Sequence, residues 1–388
     1  MPIKSKKVVI LYKSYKFRMY PSDEQGILIN KTFGCARFIY NYFLNKCKEN
    51  KYIKAYDMCN MLKDLQEEYV WLKEVDSCAL RCTIFNLEDS FKNLFSKRAS
   101  YPKFKSKYNK QSYRTNCIKR IYKGKEYSNI ILDLKNKKIK LPKLGIVNIR
   151  GYRNLDNIEG KIINASVTKE TMGNYYVSVL VEDKEVNIKK VKPTSIVGID
   201  LGVKDIVVTS NGEKYKNPKE LDKREKRLKR LQRKLSRQIK GSNNYNKTKI
   251  KISRVYSKIK NARRHNIITI VNKLVKENDI IISEKLQVKK MHNNHILTKN
   301  ILDASFNKIC NMLKWKAKEK RKYYYQVDSY FPSSKICSHC GNKTEKTKSL
   351  SIRSWMCECC GSDNDRDVNA SINIMFEGLK KHMKEVLI

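Results

Sequence analysis

The chain has 388 residues and carries Lys+Arg 84 against Asp+Glu 38, a formal net charge of +46. Solubility needs far less charge than this, so the composition asks for a polyanionic partner, and a nucleic acid is the first candidate. No apolar run approaches the roughly 20 residues that cross a bilayer, and the apolar stretch near the N-terminus, Val8-Val-Ile-Leu-Tyr12, is too short for a signal peptide core. A soluble, cytoplasmic protein with no membrane partner is expected.

At roughly 150 residues per domain, the length suggests two or three modules. The first is β-like and aromatic: Tyr12, Tyr15, Phe17 and Tyr20 suit either base stacking or a core. Residues 26–100 then read as helical, with core positions expected at Ile27, Leu28, Phe33, Phe38, Ile39 and Phe43, and again at Leu62, Leu65, Tyr69, Leu72, Leu87, Phe91, Leu94 and Phe95. Residues 128–186 alternate apolar and basic positions and read as β. Cys35, Cys47, Cys59, Cys78, Cys82, Cys117 and Cys310 are scattered among apolar neighbours, the pattern of buried thiols in a reducing compartment.

Thr194 to Thr209 predicts a hairpin, with Ile196, Val197 and Ile199 in its first strand and Ile206 to Val208 in its second. Asp200 ends the first strand, where a buried carboxylate needs a cation or hydrogen-bond donors. Gly198-Ile-Asp200-Leu-Gly202 alone is ambiguous, because sugar kinases and actin-like ATPases open with the same motif. After the hairpin, Leu221, Leu228, Leu231, Leu235 and Ile239 mark an amphipathic helix with a basic outer face, and a second helix through Ile252, Val255 and Ile259 returns antiparallel. Such an excess of one charge favours a phosphate backbone lying along it. A second β-branched run, Asp279 to Glu284, also ends on an acid and is followed by Leu286, Val288 and Met291.

Cys337-Ser-His-Cys340 and Cys357-Glu-Cys-Cys360 are two C-x-x-C knuckles sixteen residues apart, a spacing that brings four thiolates onto one zinc ion. A disulfide pair is the alternative, and His339 and Cys359 are spare donors. With Cys337, Cys340, Cys357 and Cys360 filling every position, the zinc would be structural. Asp365-Arg-Asp367 then opens a helix whose apolar face is Val368, Ile372 and Met375 or Phe376; Asp365 suits the N-cap and Asp367 the first turn. Three separated acids suggest one shared two-metal site for phosphodiester hydrolysis, and hard oxygen ligands select Mg²⁺ or Mn²⁺.

In chain order, Gly198-Ile-Asp200-Leu-Gly202, Ile282-Ser-Glu284-Lys-Leu286, the two knuckles and Asp365-Arg-Asp367-Val-Asn369-Ala370 resemble the TnpB family, transposon-encoded proteins related to compact type V CRISPR effectors. Tyr15-Lys-Phe-Arg18-Met-Tyr-Pro21, Gly34-Cys-Ala-Arg37-Phe-Ile-Tyr-Asn41, Tyr101-Pro-Lys103 to Lys107 and Leu141-Pro-Lys-Leu-Gly145 extend the resemblance over nearly the whole chain. It implies an α/β fold with β-barrel and helical modules. The RNase H-like (RuvC) nuclease would occupy 191–325 and 365–388, split by a zinc ribbon at 326–364 and carrying the basic hairpin at 217–268. A β-barrel wedge at 1–25 and 121–190 would be interrupted by a helical recognition lobe at 26–120.

The same resemblance assigns catalysis to Asp200, Glu284 and Asp367 on Mg²⁺ (or Mn²⁺), with one structural Zn²⁺. A guide RNA and target double-stranded DNA are the implied partners, held by a monomeric ribonucleoprotein. Arg18, Lys103, Lys105, Lys107, Arg227, Arg230, Arg233, Arg263, Arg353 and Arg366 are the nucleic-acid candidates. A compact type V CRISPR effector, a non-cleaving guided repressor and a strand-joining transposase are the other readings. Serine stands at 371 where the family pattern commonly has alanine.

Overall fold

The computed structural model describes residues 9–49, 51–122, 124–151, 158, 160–186, 193–286, 305–345 and 352–386, so Val288 and Met291 lie outside the described residues. The chain divides into two compact units, Met1–Asn187 and Ile188–Ile388.

The first unit opens with β1 (Val9–Tyr20), followed by helices α1 (Asp23–Glu49), α2 (Ala55–Glu68) and α3 (Ser77–Phe95). Strands β2 (Gln111–Asn116), β3 (Lys119–Tyr122), β4 (Lys125–Ser128), β5 (Ile131–Asp133), β6 (Lys138–Leu141), β7 (Gly145–Arg150), β8 (Lys161–Lys169) and β9 (Tyr175–Val186) complete it. Seven of them form an antiparallel sheet in the order β2-β8-β9-β1-β7-β6-β5. Alternation sends Phe17 and Met19 of β1 inward, where they pack with Val147, Val167, Val177, Val179 and the first half of α1, Ile29 and Phe33. Further along α1, Ile39, Phe43 and Leu44 join Met58, Leu62, Leu72, Leu80 and Ile84 in a separate helical core.

One boundary differs from expectation. β2 lies inside the stretch 26–120 expected to be helical, yet it pairs along its whole length with β8. Its sequence, Gln-Ser-Tyr-Arg-Thr-Asn, hides the strand because one of its two buried positions is the polar Thr115, the other being Tyr113.

In the second unit β10 (Ile196–Asp200), β11 (Asp205–Thr209) and β12 (Lys214–Lys216) form an antiparallel meander, while β13 (Ile280–Glu284) and β14 (Tyr323–Val327) add parallel to β10. The order is β12-β11-β10-β13-β14. Helices α4 (Glu220–Ser236) and α5 (Asn243–Glu277) fall between β12 and β13, α6 (Phe306–Glu319) between β13 and β14, and α7 (Arg366–Val386) ends the chain after the hairpin of β15 (Ser354–Met356) and β16 (Asp363–Asp365). Period-two alternation gives the central strands β10 and β13 two buried faces. Val197, Ile199 and Ile281 meet Ile267, Ile270, Val271 and Leu274 of α5 with Ile309 and Leu313 of α6. Ile280, Ile282 and Val327 face the other way, onto Ile374 of α7.

The basic hairpin is held by Leu228, Val255 and Ile259, with Leu221, Leu231 and Ile252 around them. It departs from expectation at both ends. α4 stops at Ser236, leaving Ile239 beyond the helix and 83% exposed. α5 does not stop at 268 but continues unbroken to Glu277, because its apolar stripe passes from α4 directly onto the sheet. Among the described residues no helix is long and apolar enough to cross a membrane.

Candidate active site and metal centre

Strand parity decides where the acids point. Val197 and Ile199 of β10, and Leu201 just past its end, enter the α5–α6 core, so Gly198 and Asp200 face α7. On β13, Ile280 and Ile282 face α7, and Glu284 shares their parity. The parallel register pairs Gly198 with Ile282 and Ile199 with Ser283, so the next position sets Asp200 beside Glu284 at the C-terminal ends of adjacent strands. α7 crosses this face closely. A Cβ on Gly198 would stand 2.1 Å from Ser371 O and 2.7 Å from Met375 Cβ, and one on Gly378 would meet Ile282 Cγ2 at 2.2 Å. Glycines on both sides of the contact thus bring the start of α7, with Asp367 in its first turn, over the strand ends.

Asp200 stands within electrostatic reach of both other acids. Burial pushes the Asp200 carboxyl up to about 6, and the Asp367 charge adds to the rise; the Leu201 N–H, 2.9 Å away, and Arg366 pull against it. Glu284 is pushed up to about 7 by burial and then by the Asp200 charge. Asp279, at the other end of β13, is the contrast. Donation from Thr194 N and Oγ1 and from Lys322 draws it down to about 2, despite some desolvation, and Ser195 Oγ also donates to it at 3.2 Å. Asp279 is satisfied by protein donors, whereas Asp200 and Glu284 repel each other and leave negative charge for a cation to neutralise.

At the head of α7, Asp365 Oδ1 accepts from the N–H groups of Asp367 (3.2 Å) and Val368 (3.1 Å), and Oδ2 takes Lys214 Nζ at 2.5 Å. Asp365 is therefore the helix cap. Arg353 Nη1 lies 3.2 Å from Asp367 Oδ2. Arg366 is 8% exposed, turned inward with Nη1 3.5 Å from Ile352 O, and its charge reaches Asp200.

The four cysteines form a second centre. Their sulfur atoms all lie within 4.8 Å of one another, with Cys337–Cys360 at 3.7 Å and Cys340–Cys357 at 3.6 Å. A tetrahedral ion with Zn–S bonds of about 2.3 Å requires sulfur separations of about 3.8 Å, whereas a disulfide closes to about 2.05 Å. Both knuckles turn alike: Gly341 and Gly361, at φ 78° and 70°, donate to the carbonyls of Cys337 and Cys357. Ser362 Oγ stands 3.4 Å from Cys337 Sγ and 3.2 Å from Cys360 Sγ. Cys359 is exposed and stays outside the cluster, as does His339.

The basic candidates separate by exposure. Arg18 is exposed, bonded to Asn174 Oδ1 at 2.8 Å and stacked over Tyr20, itself exposed, while Phe17 is core. Lys103, Lys105 and Lys107 lie on the exposed segment after α3. Asn41 holds both main-chain groups of Lys105, whose ammonium packs 3.7 Å from the Tyr40 ring centroid, and desolvation lowers it to about 8. Arg227, Arg230 and Arg233 are exposed on one face of α4. Arg263 departs from the expected outward position. Four residues after Ile259 and four before Ile267, it occupies the inward stripe of α5 and lines a small cavity with Asn217, Pro218, Glu220 and Asn266. A groove of about 420 Å³ in the first unit, lined by Arg37, Asn86, Lys105, Lys110, Gln111 and Arg114 among others, has no local sequence signal, because its residues come from segments far apart in the chain.

Residues 176–295 match a family described as "Probable transposase" (OrfB_IS605), 306–374 match "Cas12f1-like, TNB domain", and 11–52 match a helix-turn-helix family. Within 11–52 the described residues form β1 and the single helix α1. A Streptomyces pristinaespiralis protein named "Putative RNA-guided DNA endonuclease" is 33% identical over 377 residues, spanning 95% of this chain and 89% of the relative. InsQ of Escherichia coli K12, with the same description, is 30% identical over 388 residues, spanning 94% and 92%. Among solved structures, Cas12f1 in complex with sgRNA and target DNA superposes at TM-score 0.54 with 14% identity, covering 95% of this chain and 99% of that one. The mini-RNA-guided endonuclease CRISPR-Cas phi3 superposes at 0.51 with 10% identity, covering 95% and 92%. At these identities the likeness is one of fold.

Proposed function

The chain belongs to the TnpB (OrfB_IS605) family of RNA-guided DNA endonucleases, and from that premise we propose that it binds a transposon-derived guide RNA and cuts the double-stranded DNA the guide pairs with. The observation that carries the catalytic part is the convergence of Asp200, Glu284 and Asp367 at one end of a sheet whose three antiparallel strands are extended by two parallel ones. That topology supports an RNase H-like (RuvC) reading of 191–325 and 365–388, with the four-cysteine module at 326–364 inserted between its parts.

The donor set fits hard divalent cations: carboxylate oxygens, withdrawn from water, whose mutual repulsion a cation relieves. Asp200, Glu284 and Asp367 would hold Mg²⁺ (or Mn²⁺), which when bound lowers the pKa of a water and neutralises charge on the phosphodiester oxygens. Asp365 fixes the helix start and stays out of the ligand set, and Arg353 shields Asp367 until it is displaced onto a phosphate. Cys337, Cys340, Cys357 and Cys360 would hold Zn²⁺ in a closed thiolate site with no position for substrate.

Specificity in such a system comes from base pairing with the guide, and the protein reads backbone and a short flanking element. The net charge of +46 and the open row Arg227, Arg230 and Arg233 suit the backbone part. Purified ribonucleoprotein carrying Asp200→Ala, Glu284→Ala or Asp367→Ala should bind guide and target as the parent does and make no cut. Cutting at the parental rate by the Asp200→Ala protein with the same guide would refute the assignment.

A further inference from the structure

We propose that Asn369 and Asn373 are positioning residues that tie the four-cysteine module to the acid site, so that the ion held by the thiolates sets where Asp367 stands. The inference rests on the reading of Asp200, Glu284 and Asp367 as ligands of a divalent cation and goes beyond it, because it gives the cysteine module a part in that site.

Asn369 is 2% exposed, two residues along α7 from Asp367. Its Oδ1 accepts from Ser338 N at 2.8 Å and its Nδ2 donates to Ile336 O at 2.7 Å, so one amide brackets Cys337 from the residue before and the residue after. Asn373, one turn on and 7% exposed, donates to Ile336 O at 2.7 Å and to Ser333 O at 2.8 Å. The first knuckle is thereby held to α7 by two buried amides on one face of the helix. Only a side chain that both donates and accepts can serve the Ser338 and Ile336 groups together, which is the donor and acceptor set of asparagine.

The second knuckle grips the same helix head through the main chain. β15 and β16 pair Ser354 with Asp365, and Arg366, the first residue of α7, donates its N–H to Arg353 O at 2.8 Å. Arg353 on this hairpin is the residue that meets Asp367. Two grips therefore converge on the first turn of α7, and the sulfur cluster is where they are joined to each other. Asn364, buried between them, donates to Ser362 O at 3.0 Å and reaches Cys337 Sγ at 3.8 Å. A helix head fixed from two sides keeps Asp367 in register with the strand ends, the arrangement by which outer partners orient metal ligands.

The test uses the full chain with its guide RNA bound and reads Mn²⁺ affinity by electron paramagnetic resonance, zinc content by a chromogenic chelator, and cleavage. Asn369→Ala should keep its zinc yet bind Mn²⁺ about 10- to 100-fold more weakly, the usual size for loss of an outer partner, with cleavage recovering at saturating Mn²⁺. Ejecting zinc from the parent should weaken Mn²⁺ binding comparably, and ejecting it from Asn369→Ala should add little, since both act through one connection. If Asn369→Ala sheds its zinc, Asn373→Ala, which leaves the Cys337 bracket intact, carries the same measurement. Unchanged Mn²⁺ affinity on either perturbation, or effects that add in full, would overturn the proposal. Mn²⁺ binding that survives Asp200→Ala would instead sink the acid-site reading on which it rests.

Discussion

Gly198→Ala tests whether the close crossing of α7 over β10 builds the acid site. The new Cβ would lie 2.1 Å from Ser371 O, where ordinary contact begins near 3.4 Å, a shortfall of 1.3 Å. The obstructing atoms include main chain at Ser371 and Met375, so no side-chain rotation relieves the clash and the helix must lift from the strand. Overpacking of this kind costs about 1–3 kcal/mol, which a domain of ordinary stability survives. The activity has no such margin. Gly198 is two residues from Asp200 and Ser371 four from Asp367, so the displacement enters the separation of the two acids directly, and a misplacement of about 1 Å costs about 100-fold. The assay is cleavage of a guide-matched linear duplex under single-turnover conditions, with target binding and the melting temperature measured on the same preparation. A folded Gly198→Ala protein that cuts within threefold of the parent would refute the reasoning. Gly378→Ala meets the flexible Ile282 side chain instead and should be the milder change.

Proton linkage gives the next prediction. Asp200 and Glu284 sit at about 6 and about 7 against ordinary values of 3.8 and 4.5, so the folded metal-free protein holds protons that the unfolded chain has released. Its stability should fall as pH rises from about 4 to about 7, while Mg²⁺, which needs the charged acids, should bind more weakly as pH drops below about 7. Mg²⁺ titrations of cleavage between pH 5.5 and 8 check this, and a half-maximal Mg²⁺ concentration that is flat across that range would contradict it. Replacing Arg227, Arg230 and Arg233 together by Gln should lower the slope of log affinity against log salt by about 2 to 3, at about 0.7–0.9 per phosphate contact. Arg263→Gln should leave that slope alone and lower the melting temperature instead, because its side chain lines the cavity beneath α5. Cys357→Ser should lose the zinc and, at sub-saturating Mg²⁺, the cleavage activity with it, whereas Cys359→Ser should lose neither, as metal analysis and cleavage assays of the purified proteins will show.

What was legible in the sequence follows from how local each signal is. Ile196 to Asp200 and Ile280 to Glu284 read as strands ending on acids because β-branched runs announce themselves within five residues, and the strands end at those positions. The cysteine spacing was equally local, and so was the cap, since an aspartate before an apolar helix face needs no distant partner to be recognised. β2 was hidden because Thr115 is buried without being apolar, and the inward turn of Arg263 because a cation on an apolar stripe resembles the outer face of a basic helix. The roles of Gly198, Gly378, Asn369 and Asn373 were out of reach for a different reason. Each exists only against a surface from another part of the chain: two glycines where a helix and a sheet need their backbones close, and two asparagines where a knuckle some thirty-five residues earlier offers main-chain groups. Acids at the ends of separate elements become one site only if something fixes the distance between those elements. Here that distance is set by residues with no chemistry of their own, which makes the glycines and asparagines around α7 the positions at which binding and cleavage should come apart.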